Sequence, residues 1–246
     1  MKRGVVIIPI AFLAISFVVQ GHDIITTAVT WDREISRIFY SRCASCHHEG
    51  GMAFSLMTYA EAFPWKTAIK EEVLERRMPP WGGVKGFGDF RNDQALTPEQ
   101  LELITSWAQG GAPDGDPQDL PPAPKMEDLD KSDTWLDHPS HFEHRSGEIA
   151  VMDDLTLDRD FTLDGLWPKT VPENAAFQIM AEFPDGRVEP LLWLSNYKAQ
   201  FAHPFLLREP LDLPAGTAIR GVPPEATVVL LPAEPSSSNG ESQNAR

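Results

Sequence analysis

The sequence predicts an α+β multidomain chain in which a small all-α domain is followed by a β-sandwich-like domain. Three observations predict it. Helix-start signals recur between Thr30 and Thr97, five prolines crowd the stretch from Pro113 to Pro124, and beyond them apolar residues alternate instead of recurring every three or four positions. A length of 246 residues allows one or two domains with real cores. With 42% hydrophobic and 23% charged residues the composition is that of a globular protein, which excludes a polytopic membrane protein and a low-complexity polymer.

At the N-terminus Lys2 and Arg3 precede an uncharged, mostly aliphatic run from Gly4 to Val19. This is the layout of an export signal, so residues 1–21 are read as a signal peptide cut before His22. The run is slightly shorter than the approximately 17 to 25 residues that span a bilayer, and a retained N-terminal anchor is the alternative. There are 21 basic and 36 acidic residues. Losing Lys2 and Arg3 leaves 19 against 36, a charge of −17. Such a surface repels phosphate backbones, so no nucleic-acid partner is expected.

Thr30 can cap a helix in which Ile35, Ile38 and Phe39 form one apolar stripe. Thr58 and Glu61 have capping-box spacing, and Trp65, Ile69 and Val73 follow four residues apart before Arg76 and Arg77. A third helix opens on Thr97, Pro98 and Gln100, carries Ile104, Trp107 and Ala108, and stops at Gly110 and Gly111.

Cys43 and Cys46 are the only cysteines, and they stand in Cys43-Ala44-Ser45-Cys46-His47. C-x-x-C-H is the attachment site of c-type haem: two thiols reach two vinyl groups, and the next imidazole falls beneath the ring to bind iron. A thioredoxin-like pair would follow a strand, a disulfide here would close a very small loop, and a zinc site would need a second pair of ligands. Each of these leaves His47 unexplained. The sixth iron ligand is expected to be Met78, because Met52 and Met57 lie only 5 and 10 residues after His47 and have little chain with which to round the porphyrin. Those two are read as core filling. Pro79 and Pro80 stiffen the Met78 loop, and Trp81 is expected to cover the ring. Arg76 and Arg77 are candidates to pair with propionates, against an ordinary surface role.

Taken together, Arg42 to His47, Gly50-Gly51, Met78-Pro79-Pro80-Trp81 and Gly110-Gly111-Ala112-Pro113 resemble a monohaem, class I-like cytochrome c. More narrowly they are similar to the cytochrome module of bacterial exported proteins related to copper type II ascorbate-dependent monooxygenases. The resemblance covers residues 30–118. It implies an electron carrier with His47 and Met78 as axial ligands and a small all-α cytochrome c domain at residues 22–112. The chain after that module is too short for the two-domain copper core of those monooxygenases, so no copper residue is carried over.

Residues 113–145 are read as an extended, solvated linker rich in Pro and Asp. In the β-rich domain expected at 146–232, Phe177, Ile179, Ala181 and Phe183 alternate with Gln178, Met180 and Glu182, and Asp185-Gly186 turns the chain into Val188 to Leu194. Shorter strands are expected at Ile149 to Met152, Leu155 to Leu157, Phe161 to Leu163, Phe205 to Leu207, Thr217 to Val222 and Thr227 to Leu231. Residues 233–246 read as a disordered tail. His138, His141 and His144, with His203 downstream, raise a second metal site, but exposed histidines in a connecting segment explain them more simply. Asp153, Asp154, Asp158, Asp160 and Asp164 lack calcium-loop spacing and read as a solvated edge.

The function expected is therefore that of an exported or periplasmic protein with one haem c, passing single electrons between redox partners and not itself an enzyme. It touches a membrane only if the N-terminal segment anchors it to the outer face of the inner membrane, and its acidity favours partners with a basic docking surface. Two alternatives stay open: a haem-based sensor or enzyme in which Met78 leaves the iron, and a scaffold whose β-domain docks the haem part onto a larger redox complex.

Overall fold

The computed structural model describes residues 26–125, 127 and 145–233. The expected export segment, His138, His141 and His144, and the expected tail from 234 onward lie outside the described residues. Among the described residues no helix is long and apolar enough to cross a membrane.

The helix starts form where capping chemistry is present. Thr30 Oγ1 accepts from the Arg33 amide and opens a π-helical turn, Trp31–Ile35, that continues into α1, Ser36–Arg42. Reciprocal capping boxes open α2, Tyr59–Ala62, at Thr58/Glu61 and α4, Pro98–Gln109, at Thr97/Gln100. A 3-10 turn, Phe63–Trp65, joins α2 to α3, Lys66–Leu74. Trp31, Ile35, Phe39, Ile104 and Trp107 form a small core between these segments. The first residues beyond α4 are not free: Pro113 O accepts from the Trp31 amide at 3.0 Å and from Trp107 Nε1 at 3.0 Å, and Asp114 O accepts from the Asp32 amide at 2.9 Å. The start of the expected linker is thus docked on the helix it was expected to leave.

The strands are β1 Ile149–Val151, β2 Leu155–Thr156, β3 Phe161–Thr170, β4 Phe177–Glu182, β5 Val188–Leu194, β6 Phe205–Leu213, β7 Ala218–Arg220 and β8 Thr227–Pro232. They make two antiparallel four-stranded sheets, ordered β1-β8-β3-β6 and β2-β7-β4-β5, whose apolar faces share one core. The β4–β5 hairpin turns at Asp185-Gly186 as its sequence requires.

The expectation of a small, separate all-α domain is overturned. The helices are short, two antiparallel four-stranded sheets hold the larger core, and the segment between α3 and α4 leaves the helical core for the sheets before Leu96 returns to it. Trp81 and Phe90, from this segment, are buried in the core of the two sheets. The same segment closes an edge of each sheet. Against β5, Gly83 bridges Leu194, and Val84 N donates to Trp193 O at 2.9 Å. Against β6, Phe90 bridges Leu207, and Arg91 N donates to Leu206 O at 2.9 Å. Unpaired edge groups need partners, and this stretch of the helical half supplies them, so the two halves fold as one body.

The sequence also hides the length of β3, which runs through Asp164, Gly165 and Pro168. A bulge between Leu163 and Gly165 interrupts its pairing, and a Cβ at Gly165 would lie 2.6 Å from Phe205 O, so this crossing needs glycine. Asp164 is not a solvated edge residue. It is buried and accepts from Arg91 Nη1 and Nη2 at 2.9 and 2.8 Å and from Arg145 Nη1 at 2.6 Å. Burial alone would raise its carboxyl pKa, but the hydrogen bonds and charges of Arg91 and Arg145 outweigh it and hold the group below the usual carboxylate range. Arg91 belongs to the edge-closing segment, so Asp164 ties that segment to β3.

Asp164→Asn is expected to cost about 3 kcal/mol at pH 7, because it leaves two guanidinium groups facing a neutral partner. A depressed pKa stabilises the fold above the unfolded-state value and is lost as pH falls through the folded one. The gap between wild type and variant in urea unfolding should therefore be full at pH 7 and shrink below about pH 4. A constant gap would remove the ionised carboxylate from this account.

Candidate functional site

Between α1, α3 and the loops that follow them lies a cavity of about 670 Å³, within the range of about 300–1,000 Å³ that holds large cofactors. Cys43, Cys46, His47 and Met78 all line it. The structure thus brings together the four residues singled out for haem attachment and ligation, across some thirty positions of chain.

Local backbone geometry puts them there. At the end of α1 the amides of Cys43 and Ala44 both donate to Phe39 O at 2.9 Å, and those of Cys46 and His47 donate to Cys43 O at 3.1 and 2.9 Å. Two successive tight turns thereby gather both thiols and the imidazole within five residues. The chain then folds back, with Ala53 N donating to Cys46 O and Leu56 N to His47 O, both at 3.1 Å. Gly51 makes that return possible, since a Cβ there would sit 2.7 Å from Cys46 O and 2.9 Å from the His48 ring.

The return also orients His47. Its Nδ1 lies 2.9 Å from Phe54 O, and a carbonyl only accepts, so the proton resides on Nδ1 and Nε2 carries the lone pair. Burial lowers the His47 pKa against the opposing effect of that hydrogen bond, which favours the neutral, ligating form. His48, one residue on, is buried with Nδ1 2.7 Å from Ala44 O and does not line the cavity. Cys43 and Cys46 are not joined in a disulfide. Burial, then the neighbouring Cys46, pushes the Cys43 pKa up to about 12 despite Arg42. A redox-active Cys-x-x-Cys pair has the opposite shift, toward thiolate.

Met78 is placed by the way α3 stops. Arg76 takes a left-handed conformation at φ 55, its amide donates to Val73 O, and the amides of Arg77 and Met78 both donate to Glu72 O, at 2.9 and 3.2 Å. This reversal carries Met78 back beside Ile69 and Val73, which with Trp65 also line the cavity. The four-residue stripe of α3 is the cavity's wall. Met52, read from sequence as core filling, is 52% exposed, and it stands with Phe54 (52%) and Trp65 (48%) at the mouth.

Trp81 is in a different place from the one expected. It does not line this cavity but a neighbouring one of about 430 Å³ that shares Val73, Met78 and Pro79 with the first. Its ring stacks on His203, with centroids 4.7 Å apart and planes at 20°, because sandwich-core burial competes successfully for the indole. His203 is buried, with Nε2 2.9 Å from Trp81 O and Nδ1 3.0 Å from Pro204 O. Burial pushes its pKa down to about 4 against those two hydrogen bonds. No group of three or more His, Cys, Asp or Glu among the described residues could hold a metal ion.

Neither Arg76 nor Arg77 lines the 670 Å³ cavity, and Arg77 instead grips Glu72 through Nε and Nη2 at 2.8 and 3.0 Å. The arginine that does line it is Arg42. Gln200 and Phe201 reach it from the 3-10 turn Ala199–Phe201 between β5 and β6. Nothing in the sequence near Gln200 signals that role, whereas Arg42, adjoining Cys43, was within the motif and unassigned. Comparison with known proteins finds no matching family model and no curated protein of significant similarity.

Gly51→Ala is expected to lower stability by about 1–3 kcal/mol, since the new methyl displaces either Cys46 O or the His48 ring and opens the loop that holds His47. Thermal unfolding measures it; a melting temperature equal to wild type would mean that the return loop is looser than described.

Proposed function

We propose that this chain is an exported haem c protein that carries single electrons between redox partners. The observation that carries the reading is that Cys43, Cys46, His47 and Met78 line one apolar cavity of cofactor size. A haem held there would supply one-electron chemistry.

The chain's own residues have distinct parts in this reading. Cys43 and Cys46 would tether the group, each thiol adding across a vinyl group so that no atom is lost. His47 offers Nε2 as the proximal ligand while Phe54 O holds Nδ1–H, which keeps the imidazole from rotating. Met78 offers thioether sulfur from a turn whose three backbone amides are satisfied by Glu72 and Val73, so the ligand is presented by ordered backbone. Phe39, Leu56, Ile69, Val73 and Ile104 give the cavity an apolar lining that would exclude water from a group held there. Met52, Phe54 and Trp65 at the mouth mark the side on which a partner approaches. The chain's acidity favours a partner with basic residues around its contact surface, in a salt-sensitive encounter. Export rests on Lys2, Arg3 and the run from Gly4 to Val19.

Protein expressed in a host with haem c maturation should be red, keep its colour through denaturing electrophoresis, and appear in the periplasmic or membrane fraction. Cys43→Ala with Cys46→Ala should be colourless. In the oxidised protein a long-wavelength sulfur-to-iron band should be present and absent from Met78→Ala, whose reduced form should bind carbon monoxide rapidly. Colourless wild-type protein with two alkylatable thiols would falsify the proposal; rapid carbon monoxide binding by reduced wild type would favour a sensor or enzyme with open iron.

A further inference from the structure

The segment between β5 and β6 serves both halves of the chain. Gln200 and Phe201, in the 3-10 turn Ala199–Phe201, line the 670 Å³ cavity together with Met78, Pro79 and Pro80. Two residues on, the buried His203 ring is stacked on the Trp81 indole. Phe205, the first residue of β6, packs edge-on against Trp81 at 4.7 Å and tilted against His203 at 4.4 Å. Only two prolines of fixed φ separate Met78 from Trp81, and Trp81 N donates to Pro79 O at 2.7 Å. A displacement of Trp81 is therefore passed to Met78 with little slack.

The His203 ring stands between two carbonyls, with Nε2 2.9 Å from Trp81 O and Nδ1 3.0 Å from Pro204 O. Carbonyls only accept, and a neutral imidazole has one proton to give. Burial pushes the pKa of this ring down to about 4, so it is neutral at pH 7. Pro204 O already accepts from Asn92 Nδ2 at 2.9 Å, and Asn92 Oδ1 accepts from the Leu206 amide at 3.1 Å, which fixes the way that amide side chain points. The ring proton therefore belongs on Nε2, where Trp81 O receives it.

We infer that His203 is a positioning residue for Met78: its Nε2–H, donated to Trp81 O, holds the far end of the Met78-Pro79-Pro80-Trp81 stretch and so sets how readily the thioether leaves an iron bound in the cavity. The inference rests on the proposed haem reading and gives the β half a part in it. With Trp81 held, the sixth position stays closed, as an electron carrier needs. With Trp81 released, Met78 has the neighbouring 430 Å³ cavity, whose wall it already forms, to move into.

Imidazole added to the ferric holoprotein tests this, because it replaces a thioether ligand, and at saturating imidazole the rate is that at which Met78 leaves. His203→Asn keeps a polar group near the Nδ1 position and removes the donor to Trp81 O; it should raise that rate about tenfold, the worth of one hydrogen bond. His203→Gln, whose amide nitrogen falls near the Nε2 position, should stay close to wild type. Val151→Ala, on β1, takes volume from the same sheet core and should lower the urea midpoint while leaving the rate as it is. Equal rates in wild type and His203→Asn overturn the inference, and so does acceleration of the same size in His203→Gln or Val151→Ala. Nitrogen NMR of the ferrous wild type needs no variant: His203 should carry its proton on Nε2, and a bare Nε2 overturns the inference even where His203→Asn does not fold. Colourless wild type, or red wild type without the sulfur-to-iron band, overturns the haem or Met78 assignment and this inference with it; red protein that has the band and does not respond at His203 overturns this inference alone.

Discussion

Exposed backbone at a sheet edge must find partners, and in this protein the helical half provides them. Residues 82–92 lie along β5 and then β6, pairing the outward groups of the last strand of each sheet. Trp81 and Phe90 drop into the shared core as that segment passes, and Arg91 locks onto Asp164 at the β3 bulge. The helical half cannot be lifted away without opening two sheet edges, uncovering two aromatic rings and stranding a buried carboxylate. This is why a layout of short helices with a small core of its own persists: it is completed by the sheets.

That attachment sets the geometry of the cavity. Met78 stands between two fixed points. On one side the left-handed turn at Arg76 ends α3 with its amides satisfied, and on the other Trp81 is held by stacking on His203 and by the contact of its carbonyl with the His203 ring. The two prolines between Met78 and Trp81 have little freedom. The wall opposite is built by the turns around Cys43 to His47 and by the return through Gly51 to Leu56. Both walls are therefore local structures, but their separation is decided by contacts between α3 and α4 and by the insertion of Trp81.

The chemistry of the lining is uneven. Most of it is aliphatic or aromatic, and its polar members have assigned tasks: His47 is held as a lone-pair donor, Glu72 is neutralised, and Cys43 is kept as a neutral thiol by burial. Arg42 lines the cavity as well, with Nη1 on Asp93 O. The β half takes part as well, since Gln200 and Phe201 close the cavity from beyond β5. Met52, Phe54 and Trp65 stand exposed at its mouth.

Much was legible in the chain before folding. Thr30, Thr58 and Thr97 mark helix starts because a cap bonds three residues along, within the same stretch of sequence. Asp185-Gly186 marks a hairpin for the same reason, and the close spacing of Cys43, Cys46 and His47 already groups them on one cavity wall. Other placements depended on partners remote in sequence. β3 and β6 run past Gly165 and Pro210 because strand pairing and core burial outweigh local preference. Trp81 goes to His203, Asp164 to Arg91 and Arg145, and Gln200 to the cavity, each across tens of residues. Sequence determined the interactions that close within one turn; the tertiary structure decided those that required burying one half of the chain against the other, because burial free energy belongs to the assembled surface and not to any single segment.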